Sequence, residues 1–141
     1  MTCALLRISA GLLLAGGATA ALACGYCIED RVAAAYDHAV VSRALSARHH
    51  VAFCVIDGGL VPSDALRREI ERTVESTRGV DRSSVKVSLE TASLSFAYDP
   101  ARAPLGPLLR GVNRKLAPKG LSLMPLRVIE RYGELRPASS P

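Results

Sequence analysis

His50-Val51-Ala52-Phe53-Cys54-Val55-Ile56-Asp57 is the stretch whose reading decides the fold. Val51 to Ile56 are all apolar, and Asp57-Gly58-Gly59 closes the run. An apolar run of this length, rich in β-branched residues and stopped by glycines, predicts a strand buried on both faces. Alternation puts Val51, Phe53 and Val55 on one side and Ala52, Cys54 and Ile56 on the other. The first set is expected to meet the helices that follow in the chain.

Downstream, Pro62-Ser63 opens a helix reaching to about residue 77, with Leu66, Ile70, Val74 and Thr77 on one face and Gly79 as its stop. Val85, Val87 and Leu89 alternate with Lys86, Ser88 and Glu90. Leu94, Phe96 and Tyr98 then alternate with Ser93, Ser95 and Ala97, which predicts a hairpin. Leu105, Leu108, Leu109, Val112 and Leu116 mark a further helix, closed by Pro118 and Gly120. A last strand over 121–129 contains Pro125, which argues for the edge of a sheet. Residues 131–141 are polar and rich in Pro and Ser, the composition of a disordered tail. The order from His50 on is β-α-β-β-α-β. The predicted fold class is therefore α+β, a ferredoxin-like βαββαβ four-stranded antiparallel sheet with its first and third strands central.

Upstream, Ile28, Val32, Tyr36 and Val40 recur every four residues, which predicts an additional N-terminal helix over 28–45. Ala33, Ala34, Ala35 and Ala39 give it a small face that can lie close to a sheet. Its expected place is over the face carrying Ala52, Cys54, Ile56, Ser95 and Ala97. Ahead of this helix stands Cys24-Gly25-Tyr26-Cys27. Residues 1–23 carry Arg7 as their one charge, an apolar run over 8–15 and Ala21-Leu22-Ala23, the layout of a secretory signal peptide. Cleavage there leaves 141 − 23 = 118 residues and lowers the net charge from +5 to +4. The expected organisation is a signal peptide over 1–23, the Cys-x-x-Cys and helix over 24–48, the α+β domain over 49–130 and the tail over 131–141. The expected location is the bacterial periplasm. A lipid-anchored form at Cys24 is the rival reading, and Ala21 and Leu22 fit a lipobox poorly.

The module over 51–129 resembles a heavy-metal-associated domain, the fold of small copper chaperones and of the amino-terminal modules of metal-pumping ATPases. The residues that carry the resemblance are Arg78-Gly79-Val80, Val85-Lys86-Val87-Ser88-Leu89 and Phe96-Ala97-Tyr98-Asp99-Pro100. The resemblance implies metal binding through a Cys-x-x-Cys in the loop after the first strand. That loop is Gly58-Gly59-Leu60-Val61-Pro62-Ser63-Asp64 here and has no cysteine. The pair at Cys24 and Cys27 is the available substitute. A straight helix over 28–45, about 26 Å long at ~1.5 Å per residue, would bring that pair beside the loop if it folded back along the strand.

Two thiols at this spacing suit a soft ion. Cu(I) is the first choice, because two thiolates satisfy a linear site. Zn(II) is possible with histidine help, since it takes four ligands. A helix start is also expected to lower the thiol pKa values through the helix dipole, with the nearby Glu29 and Asp30 working against it. Cys54, His38, His49 and His50 stand behind the pair as ligand candidates. Cys54 is expected to be a buried small hydrophobe, and the histidines to be solvated. The partners expected are a metal ion and another metal-handling protein. A thiol-disulfide protein using Cys24 and Cys27 and a scaffold module without metal are the alternatives. No nucleophile-base-acid set, phosphate loop or zincin motif is present, so no enzyme activity is expected. Mixed charges and few aromatic residues exclude a nucleic-acid signature, and no apolar span follows the leader.

Overall fold

The computed structural model describes residues 27–137. Two short helices come first, α1 (Ile28–Ala35) and α2 (His38–Ser46). They are followed by β1 (His50–Gly58), α3 (Asp64–Glu75), β2 (Lys86–Ser88), β3 (Ser93–Tyr98), α4 (Leu105–Leu116), β4 (Leu121–Arg131) and β5 (Glu134–Pro137). The sheet is antiparallel with the order β2-β3-β1-β4-β5. From β1 to β4 the element order is βαββαβ with β1 and β3 inside. The sheet has five strands rather than the expected four.

The fifth strand replaces part of the expected disordered tail. Arg131 pairs with Glu134 across Tyr132-Gly133, and Gly133 supplies the positive φ, 78°, that the tight turn needs. Tyr132 Oη donates to the Ser42 carbonyl at 3.2 Å and fastens the turn to α2. Residues 138–141 lie outside the described residues. β5 also moves β4 from the edge to the interior, but only over residues 127–131. Pro125 sits beyond that reach, where the outer side of β4 is unpaired. On its inner side it falls at the register shift between Phe53 and Cys54, a bulge that asks for no regular ladder donor.

The single N-terminal helix is two. Tyr36 and Asp37 are extended, and Asp37 caps α2 by accepting from Ala39 N at 2.9 Å and Val40 N at 3.1 Å. An aspartate that satisfies two free amides starts a new helix in the middle of an unbroken apolar repeat.

The two faces of β1 are exchanged relative to expectation. Ala52 pairs with Phe96 and Cys54 with Leu94, and these face Ile70 and Val74 of α3 and Leu108 and Val112 of α4. Val51 pairs with Ala97 and Phe53 with Ser95, and Val51, Phe53 and Ala97 pack with Val32 and Ala35 of α1 and Val41 and Ala44 of α2. Directly opposed residues share a face, so Phe53 and Phe96 cannot lie on the same side in this register. Ser95 Oγ donates to the Ala35 carbonyl and joins sheet to helix at the end of α1. Thus the helical cover over Ser95 and Ala97 is as expected, while its partners on β1 are the odd-numbered residues. Among the described residues no helix is long and apolar enough to cross a membrane.

Candidate metal centre

Cys27 is the N-cap of α1, with extended backbone at φ −66° and ψ 156°. Its sulfur accepts a hydrogen bond from Asp30 N at 3.4 Å, and the residue is exposed. The helix start is expected to favour thiolate, yet the thiol is pushed up from its ordinary range. The Asp30 side chain, hydrogen-bonded to the thiol, is the main cause; the Asp30 amide works the other way, and the charges of Asp30 and Glu29 add to the rise. Two carboxylates in the first turn outweigh the dipole. Cys24 and the expected signal peptide over 1–23 lie outside the described residues.

The break at Asp37 removes the geometry that would carry the pair to the β1–α3 loop. α1 has 8 residues, about 12 Å at ~1.5 Å per residue. Ile28, next to Cys27, shares a cavity with Arg127 and Leu135. Arg127 pairs with Phe53, whereas the loop begins after Gly58. Phe53 and Gly58 are about 16 Å apart along a strand at ~3.3 Å per residue. The start of α1 therefore lies toward β4 and β5, not at the loop where the resembled family keeps its ligands.

Cys54 is fully buried between the sheet and the α3–α4 layer, and burial pushes its thiol up to about 12. A thiol so sealed is a small hydrophobe. His38 begins α2 and is exposed, with its Nδ1 3.4 Å from Tyr36 Oη. His49 is not a solvated connector. Its Nδ1 donates to Asp81 Oδ2 at 2.7 Å, and its Nε2 is 3.9 Å from Asp99 Oδ2. His50 meets the Tyr98 ring edge-on, with centroids 5.7 Å apart. His49, just before β1, turns to Asp81 and Asp99, whereas His50, the first residue of β1, meets Tyr98, so the two imidazoles are engaged with different partners. Among the described residues no group of three or more His, Cys, Asp or Glu side chains is arranged to hold a metal. The chemistry within reach is thus that of an exposed sulfur at a helix start, with Cys24 three residues upstream in sequence.

The His49–Asp81 contact was not legible in the sequence, because the two are 32 residues apart. What joins them is the segment after α3 running back along β3, where Asp81 N donates to the Ala97 carbonyl at 2.9 Å. Tyr36 stacked on Phe53, with centroids 6.3 Å apart, also depends on the helix break.

No protein-family model matches this sequence, and no curated protein matches it. Among solved structures, the chain is similar to oxidized MerP from Ralstonia metallidurans CH34, with 16% sequence identity and a TM-score of 0.40 over 53% of this chain and 96% of that one.

Proposed function

We propose that this protein is an exported binder of a soft metal ion that uses Cys24 and Cys27, with Cu(I) as the first cargo, and passes the ion to another metal-handling protein. The observation that carries the reading is Cys27, an exposed free thiol at the head of a helix, set against Cys54, which is sealed in the core. Two thiolates satisfy a linear soft ion without further ligands, so no histidine is required. Zn(II) would need two more ligands from elsewhere. The heavy-metal-associated resemblance of residues 51–129 adds to this reading, with the thiols ahead of α1 in the sequence instead of in the loop after β1. The ion has to displace the thiol proton, and Asp30 holds that proton. Loading is therefore expected to release protons and to strengthen as pH rises.

The test is a Cu(I) competition titration of the reduced, leader-free protein beside an insulin-reduction assay. One ion per chain is expected, lost in Cys27→Ser and Cys24→Ser and kept in Cys54→Ser. Asp30→Asn should bind more tightly near neutral pH. Metal retained by the double Cys24→Ser, Cys27→Ser variant excludes this site. Disulfide turnover without copper binding places the protein among thiol-disulfide proteins.

A further inference from the structure

Between Asp99 and Glu130 the chain has Arg102, Arg110, Arg114, Lys115, Lys119 and Arg127 and no acidic residue. Among the described residues two of these cations have carboxylate partners: Arg102 Nε is 3.3 Å from Asp99 Oδ2, and Lys119 Nζ is 2.7 Å from Glu69 Oε1. Arg114 and Lys115 of α4, with Arg78 from the turn that follows α3, rim a groove of about 420 Å³ between that turn and α4. Ala103, Pro107 and Gly111 line it as well, and no acidic residue does. Lys115 Nζ donates to Ser76 Oγ at 3.0 Å and so covers the carboxyl end of α3. Arg78 and Arg114 are exposed and have no carboxylate partner among the described residues. Glu75, the nearest acid on α3 in sequence, is occupied by accepting from Ser83 N at 3.2 Å.

Gly111 is the second, independent sign. It stands inside α4, where glycine is less favourable than alanine. Packing does not require it, since a Cβ there would meet Thr77 Cγ2 at 3.9 Å, an ordinary contact. What its missing side chain does is keep the groove open.

We propose that this groove binds an acidic segment of a partner protein, with carboxylates on Arg78 and Arg114 and a small apolar side chain over Gly111. The chemistry favours a peptide over the other polyanions. No aromatic side chain lines the groove for bases to stack on. The exposed large apolar residues Ile28, Tyr36, Val61, Met124, Tyr132 and Leu135 all lie outside it, so nothing at its rim enters a bilayer. The inference is independent of Cys27, which starts α1 in the other helical layer.

The experiment is fluorescence anisotropy of a labelled synthetic peptide of alternating glutamate and leucine, titrated with the leader-free full chain. Saturable binding is expected, weakening as salt rises. Arg78→Glu with Arg114→Glu should weaken it about tenfold or more. Gly111→Leu, with charge unchanged, should weaken it as well. Gly111→Ala should do so in part with no loss of thermal stability, which separates groove filling from misfolding. Copper loading should be unaltered in all of them. Equal peptide affinity in the charge-reversed and groove-filled variants overturns the proposal. So does absence of saturable binding, or binding of phosphatidylglycerol vesicles or single-stranded DNA in place of the peptide.

Discussion

On one face of the sheet, α3 and α4, of 12 residues each, bring Ile70, Val74, Leu108, Leu109, Val112 and Leu116 against Leu94, Phe96 and Leu123. On the other, α1 and α2, of 8 and 9 residues, bring Val32, Ala35, Val41 and Ala44 against Val51, Phe53, Ala97 and Ile129. The first layer is filled by long side chains and held apart by their bulk. The second is thin, and Ala35 and Ala44 let the helices come close, with Phe53 as its largest side chain. The difference teaches that the two faces should fail in opposite ways. Truncation damages the thick layer, and enlargement damages the thin one, except at Phe53.

The largest expected effect is at that exception. Phe53→Ala should cost about 3–5 kcal/mol, read from urea unfolding, because a fully buried aromatic ring leaves a cavity under two short helices. A loss no larger than that of a surface substitution would break the comparison. Next, Ile70→Ala should cost about 2–5 kcal/mol through the cavity it leaves beneath α3. Ala35→Leu should then cost about 1–3 kcal/mol by overpacking. A stabilised Ala35→Leu protein would mean that the thin layer has room to spare.

A smaller effect is expected at the joint between α1 and α2. The Val40 and Ala39 amides hold the Asp37 carboxyl below the usual carboxylate range. A depressed folded-state value contributes stability above the unfolded-state pKa, and this is lost as pH falls through the folded one. Asp37→Ala should therefore destabilise the protein at neutral pH and by less at acid pH, by less than any of the three core variants. Thermal melts of the variant and parent across that range measure it. A difference independent of pH would assign Asp37 a role other than capping by its charge.

The thick layer was legible because its pattern has one solution. The apolar positions of α3 and α4 recur at helical spacing, and Val87, Leu94 and Phe96 alternate with polar or small partners. β1 has no such contrast. With Val51 to Ile56 all apolar, its composition fits either face, and only the pairing of Phe53 with Ser95 decides. The helix break was hidden because Ile28, Val32, Tyr36 and Val40 keep their spacing through Asp37. β5 was hidden because Glu134-Leu135-Arg136-Pro137 is held by backbone pairing rather than by an apolar stripe. At the candidate site, the seclusion of Cys54 was legible from its strand. The rise of the Cys27 thiol was legible only in part: Glu29 and Asp30 stand beside it in the sequence, but that they outweigh the helix dipole depends on the Asp30 side chain reaching the sulfur.

These differences bear on the thiols, because Cys27 belongs to the thin layer and Cys54 to the thick one. The most direct test is copper X-ray absorption on the reduced, Cu(I)-loaded protein without residues 1–23, with Cys27→Ser alongside. The expected result is a copper site with two sulfur neighbours and no imidazole nitrogen, together with loss of copper from Cys27→Ser. Imidazole nitrogen in the copper shell, or copper retained in the same environment by Cys27→Ser, would contradict the assignment of metal binding to Cys24 and Cys27.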